Sequence, residues 1–175
     1  GHFRVVPAIS DNGLKNYRKG RYSKFSHKEE VAFPGYYAMK IPKQGILAEL
    51  TASERVGMHR YTFSMDEIPH IFIDVSSALG YGKTTEGEVQ IYTEQQEVVG
   101  AIRTFGSFAS RYGGIKVYFS ARFSQPFSAF SIWSGNNLFN NQTSAEGDQI
   151  GVDISFNKVG SGQVVELKLG ISYVS

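Results

Sequence analysis

Hydrolytic and metal chemistry both need carboxylates or imidazoles brought together, so the acidic residues and histidines come first. Glu29 and Glu30 are adjacent, and on an extended strand neighbours point to opposite faces, so these two cannot oppose each other across a substrate. Glu49, Glu54, Asp66, Asp74, Asp153 and Glu166 mostly occupy the polar phase of alternating segments, the pattern of solvated strand faces. No pair is nominated for the roughly 5–10 Å carboxylate separation that general acid/base cleavage of a glycosidic bond requires. His27 and Glu29 stand two residues apart and would share a strand face, and His59 has the same spacing to Tyr61. Neither spacing matches a zinc helix motif or a calcium loop. The sequence therefore predicts no metal ligand set, and a structural hydrogen bond is the simpler role for each histidine.

Other motifs are partial. Gly80-Tyr81-Gly82-Lys83-Thr84-Thr85 lacks the spacing of a phosphate-binding loop, and no helical pattern follows it. Gly106-Ser107-Phe108 is an incomplete nucleophile elbow. Cysteine is absent, which removes disulfides, thiolate metal sites and thiol nucleophiles together. Trp133 follows the aromatic-rich stretch holding Phe127 and Phe130 and opens a polar run, a placement suited to stacking on a sugar face. Those three aromatics do not share one strand phase, so some must be buried, and core packing is the preferred reading. Asn141-Gln142-Thr143 matches the N-glycosylation sequon, which carries little meaning in a bacterial protein.

The elements that must position these residues are strands. Strict alternation runs through Ile46 to Ser53, Ile115 to Ser124, Ile150 to Asn157 and Val165 to Tyr173. Weaker versions cover Tyr36 to Ile41, Val56 to Phe63, Ile71 to Val75, Glu88 to Tyr92, Val98 to Phe105 and Phe127 to Trp133. Turn signals separate them, including Pro42-Lys43-Gln44-Gly45, Tyr112-Gly113-Gly114 and Gly160-Ser161-Gly162. No segment sustains a 3.6-residue period. Ser10 to Arg21, Ser76 to Glu86 and the Asn-rich run Ser134 to Asp148 read as loops. About ten strands without crossover helices predict an all-β fold, an antiparallel β-sandwich.

The 175 residues suit one domain with a real core, 41% of them apolar and 19% charged. Eighteen Lys and Arg against sixteen Asp and Glu leave the protein near neutral, and the basic residues form no stripe interleaved with aromatics, which argues against nucleic acid as a partner. No apolar run approaches the length of a membrane span, and the chain does not open as a signal peptide, so any export signal lies upstream of Gly1.

Three blocks stand in order at short spacing: Phe25-Ser26-His27-Lys28-Glu29-Glu30-Val31-Ala32-Phe33-Pro34-Gly35-Tyr36-Tyr37, then Gly45-Ile46-Leu47-Ala48-Glu49-Leu50-Thr51-Ala52, then Arg55-Val56-Gly57-Met58-His59-Arg60-Tyr61-Thr62-Phe63. Together they resemble the N-terminal domain of glycoside hydrolase family 92. The stretch Val117 to Phe127 and the terminal Lys168 to Ser175 also look like strands of that domain, whereas Ser76 to Tyr112 and Ser134 to Gln149 match poorly.

The resemblance implies a supersandwich-like fold and a parent that is a calcium-dependent, inverting exo-α-mannosidase, bacterial and periplasmic or extracellular. Its catalytic carboxylates and calcium ligands would lie in a C-terminal (α/α) barrel against which the sandwich packs, with mannose-containing glycans as substrates. On that reading residues 1–175 are a partial N-terminal domain, an internal fragment that carries neither catalytic residue nor cofactor of its own. A free-standing carbohydrate-binding module using Trp133, or an adhesion sandwich with no sugar site, are the alternatives. Substrate or domain-interface candidates are His27, Glu29, His59, Arg60 and Trp133. Within the blocks, Pro34-Gly35 is expected to end one extended segment and turn sharply into the next. Arg60, in phase with Met58 and Thr62, is expected to pair with Glu49 on the preceding strand.

Overall fold

The structure is a computed structural model that describes residues 2–9, 12–20, 23–78, 80, 82–106 and 108–175. Gly1, Ser10, Asp11, Arg21, Leu79, Tyr81 and Ser107, all named above or within ranges given there, lie outside the described residues.

Fourteen strands are present among the described residues: β1 (Arg4–Ile9), β2 (Glu30–Phe33), β3 (Tyr36–Ile41), β4 (Ile46–Ala52), β5 (Val56–Phe63), β6 (Pro69–Asp74), β7 (Lys83–Tyr92), β8 (Glu97–Phe105), β9 (Ile115–Phe123), β10 (Phe127–Ser134), β11 (Asn137–Asn140), β12 (Ser144–Gly147), β13 (Ile150–Phe156) and β14 (Gln163–Ser172). Among the same residues a single α-helix, α1 (Asn12–Arg18), lies between β1 and β2. One sheet has five strands in the order β1-β6-β13-β10-β11, and the other has nine in the order β12-β7-β8-β9-β14-β5-β4-β3-β2. Neighbours pair antiparallel throughout. This is the all-β sandwich that the alternation predicts.

The ten alternating segments are ten of these strands, and the other four are additions to what alternation predicts. β1 carries Pro7, which cannot donate to a ladder and is tolerated because β1 is an edge strand. β2 is four residues long and mostly exposed. β11 and β12 fall inside the Asn-rich run expected to be a loop, each four residues long and polar enough to hide its period. The first expected loop likewise holds α1, and the second is shortened because β7 begins at Lys83.

The inward phases of both sheets meet in one interior that contains Ile46, Phe63, Ile73, Ile102, Ile154 and Leu167, each 0–2% exposed. β6 differs from an ordinary sandwich strand in being buried on both faces. Ile71 and Ile73 point into the sandwich, while Phe72 belongs to a second cluster with Ala8, Trp133 and Leu14 of α1. Helix α1 thus roofs the outer face of the small sheet. The Tyr17 hydroxyl donates to the Asp74 carboxylate at 2.7 Å and fastens the roof to the end of β6. Burial first, and that carboxylate second, push the Tyr17 pKa well up, so the donor keeps its proton.

Candidate functional site

The three sequence blocks form β2 to β5, one flank of the large sheet. Phe33 and Tyr36 face each other in register at the β2–β3 hairpin, with stacked rings 4.9 Å apart and Pro34-Gly35 as the connection. Gly35 sits at φ +83°, so a turn with Pro first and a left-handed glycine second closes the hairpin, as the sequence anticipates.

Register then fixes a row across the outward face. Glu49 stands opposite Arg60, and Arg60 opposite Glu166 of β14. The expected neighbour is therefore present, but the ion pair forms on the other side: Arg60 Nε donates to Glu166 at 2.8 Å, while Glu49 accepts the Tyr36 hydroxyl at 2.8 Å. Glu166, far away in sequence, is identifiable as the partner only once strand order is known. The Glu166 carboxylate, with Glu49 second on the opposite side, raises the already high pKa of Arg60, and Glu49 raises that of Tyr36. These side chains line a shallow pocket of about 160 Å³ together with Thr51, Met58 and Lys168.

His59 is adjacent to Arg60 yet points the other way. With Tyr61 and Phe63 it occupies the inward phase of β5, and its Nδ1 lies 2.7 Å from the Tyr61 hydroxyl. Burial lowers the His59 pKa and raises that of Tyr61, which favours a neutral imidazole hydrogen-bonded to a protonated phenol. Gly57, two residues earlier in the same phase, leaves room for the ring: a Cβ there would stand 3.3 Å from His59 Nε2.

His27 and Glu29 do not share a strand face. They lie in a 3-10 turn, His27–Glu29, capped by Ser26, which swings His27 toward Glu30 instead. His27 Nδ1 lies 2.5 Å from the Glu30 carboxylate, which also accepts the Tyr37 hydroxyl. Tyr37 first and His27 second hold the Glu30 pKa below its ordinary value. Glu29 is exposed. The structure thus groups Arg60 with Tyr36, Glu49 and Glu166, sets His27 with Glu30 and Tyr37, and turns His59 inward.

Trp133 lies within β10 and is 4% exposed, in the cluster beneath α1. Gly151 stands opposite it in register, and a Cβ there would fall 2.1 Å from the indole. The ring packs flat over that glycine, and it presents no face to a sugar in solution.

A second imidazole–carboxylate pair is not apparent from the sequence. His70 of β6 and Asp153 of β13 meet at 2.9 Å with side chains 7% and 13% exposed. The signal is in the phase His70, Phe72, Asp74 against Ile71 and Ile73, but nothing in it announces that α1 covers that side. Among the described residues, no three of His, Asp and Glu converge as a metal site.

A concavity of about 980 Å³ forms a trough on the outward face of the large sheet near the end of β14. Its lining includes Val56, Val99, Tyr118, Ser120, Gly170 and Ser172.

Comparison with known proteins places this geometry. The profile of the glycosyl hydrolase family 92 N-terminal domain matches residues 1–172. Among solved structures, the family GH92 α-mannosidase BT3965 from Bacteroides thetaiotaomicron superposes with a TM-score of 0.85 at 26% identity, over 100% of this chain and 24% of that one. The family GH92 inverting mannosidase BT2199 from Bacteroides thetaiotaomicron VPI-5482 gives a TM-score of 0.83 at 24% identity, over 99% of this chain and 22% of that one. The residues in hand therefore span about a quarter of the length of those proteins or slightly less. Curated protein sequences yield no match. With the profile spanning nearly every residue and the sandwich superposing on that of the mannosidases, the chain belongs to the glycosyl hydrolase family 92 N-terminal domain family.

Proposed function

We propose that residues 1–175 are one β-sandwich domain of a longer exo-α-mannosidase, inactive alone, which packs against an (α/α) catalytic barrel and helps shape its cleft. The observation that carries this reading is the profile match over residues 1–172 combined with coverage of only 24% of a family α-mannosidase. In the parent, calcium and the inverting carboxylate pair belong to the barrel, and export puts the enzyme in the periplasm or outside the cell. The side chains in hand support a scaffolding role. Glu49 and Glu166, the carboxylates nearest each other across β5, are already engaged by Tyr36 and Arg60. Arg60, Tyr36 and Phe33 are among the outward groups of the family blocks and the best candidates to meet the barrel or a sugar at its edge.

The test is an α-mannoside hydrolysis assay on the full-length parent, with and without a calcium chelator, beside residues 1–175 alone. Activity from the parent, lost on chelation and absent from residues 1–175, is the expected result. Turnover by residues 1–175 would overturn the scaffold assignment.

A further inference from the structure

Six neighbouring strands of the large sheet, β12-β7-β8-β9-β14-β5, are crossed on their outward face by one register-matched row: Ser144, Gln90, Val99, Ser120, Gly170 and Val56. No member is charged or aromatic. The rows on either side are taller. Glu88 and Tyr118 stand along one, and Glu97, Arg122, Lys168 and Met58 along the other. All six central residues line the 980 Å³ trough, with Glu88 and Tyr118 of the first flanking row beside them, and the row runs across the strands, not along them.

Dimensions follow from sheet geometry. Five strand spacings of about 4.8 Å make the floor about 24 Å long, and flanking rows four residues apart stand about 13 Å from each other. An α-helix is about 10–12 Å across with its side chains and covers 24 Å in about 16 residues. The face of a sheet offers no backbone hydrogen bonds, since these lie in the plane of the strands, so an occupant must satisfy its own backbone, as a helix does.

We propose that the trough seats an α-helix formed by the part of the parent protein that follows Ser175, a proposal that rests on the reading of residues 1–175 as part of a longer mannosidase. Ser172, which ends β14, and Ser175 both line the trough, so the polypeptide leaving the sheet already enters it. Tyr173 and Val174, between those two serines in sequence, are 59% and 86% exposed. About three quarters of the length of BT3965 lies outside the superposed region, ample to supply a helix. Such a helix presents small or apolar residues to Val99, Gly170 and Val56 and acidic residues to Arg55 and Lys168.

Thiol accessibility in the full-length parent tests this. The region has no cysteine of its own, so Ser120→Cys and Val99→Cys report from the floor and Ser161→Cys from an exposed turn, with modified peptides assigned by mass. Maleimide labelling at the two floor positions is expected to be about 100-fold slower than at the turn. Gly170→Trp adds a further arm. A Cβ at Gly170 meets nothing closer than 3.9 Å, so the indole enters the trough and competes with the helix, and protection of Val99→Cys, two strands away, should be lost. Equal labelling of floor and turn in a parent that still cleaves α-mannosides would overturn the docking proposal and leave the enzyme reading standing. Protection that disappears on dilution assigns the trough to a second copy and also overturns it. Protection in a parent devoid of mannosidase activity supports the docked helix and rejects the enzyme reading.

Discussion

His59 shows how one side chain is fixed by phase. Because β5 turns it inward beside Tyr61, burial depresses its pKa below the ordinary value near 6.5. The unfolded polypeptide then binds a proton that the folded one refuses, so stability is full above about pH 6.5 and declines as pH falls below it. His59→Gln keeps a hydrogen-bonding group near Tyr61 but does not titrate, and the fall in melting temperature between about pH 7 and pH 5 should become shallower. An unchanged slope would mean that other groups carry the dependence. Glu30 works in a lower window. Its folded pKa is depressed chiefly by the Tyr37 hydroxyl, so its contribution is present above the ordinary 4.5 and lost as pH falls through the folded value. Tyr37→Phe should raise the Glu30 carboxyl titration toward 4.5, as read by NMR. Trp133→Ala is expected to cost about 3–5 kcal/mol, the range for emptying a buried aromatic site, measured by denaturant unfolding. Arg60→Ala, by contrast, breaks an ion pair whose partners are both well exposed and should leave stability close to that of the native protein.

At the level of elements, the His70–Asp153 pair couples β6 to β13, with side chains 7% and 13% exposed. Asp153→Ala deletes a buried hydrogen-bond partner of His70 and should destabilise by about 1–3 kcal/mol, and a double-mutant cycle with His70→Phe measures how much of that loss belongs to the pair. The contrast between this pair and the family blocks explains what is legible in the sequence. Alternation identifies the strands of the main interior because one face of each is wet, as in Ile115 to Phe123. The hairpin at Pro34-Gly35 is legible because its turn chemistry is local. Alternation fails where structure depends on distant covering: Phe72 on the outer face of β6 is buried in a cluster with Leu14 of α1, and a seven-residue helix leaves too short a period to detect. The partner of Arg60 is hidden for a related reason. Alternation gives a phase, but only the strand order brings β14 beside β5 and so puts Glu166, not Glu49, in the ion pair.

On the scale of the molecule, the same strand order makes β14 the junction of the large sheet. β2 to β5 follow one another as a meander on one side, and β7 to β9 form another with β12 at its margin. β14 joins the two, pairing with β5 along one edge and β9 along the other. Until it arrives, both groups present unpaired inner edges lined by residues meant for burial, which are templates for pairing with other molecules. Truncation after residue 162 should therefore abolish soluble expression, whereas removing residues 173–175 should not, a difference read from the supernatant after lysis. The consequence reaches into biosynthesis. A ribosome must release residue 172 before the nine-stranded sheet can close, so most of this domain waits in two halves while its last strand is still in the exit tunnel. The polypeptide that follows in the parent then begins to emerge just as the sheet becomes whole. Chaperone demand should peak in that interval, and slowing translation only once residue 172 has cleared the tunnel should raise the yield of folded protein.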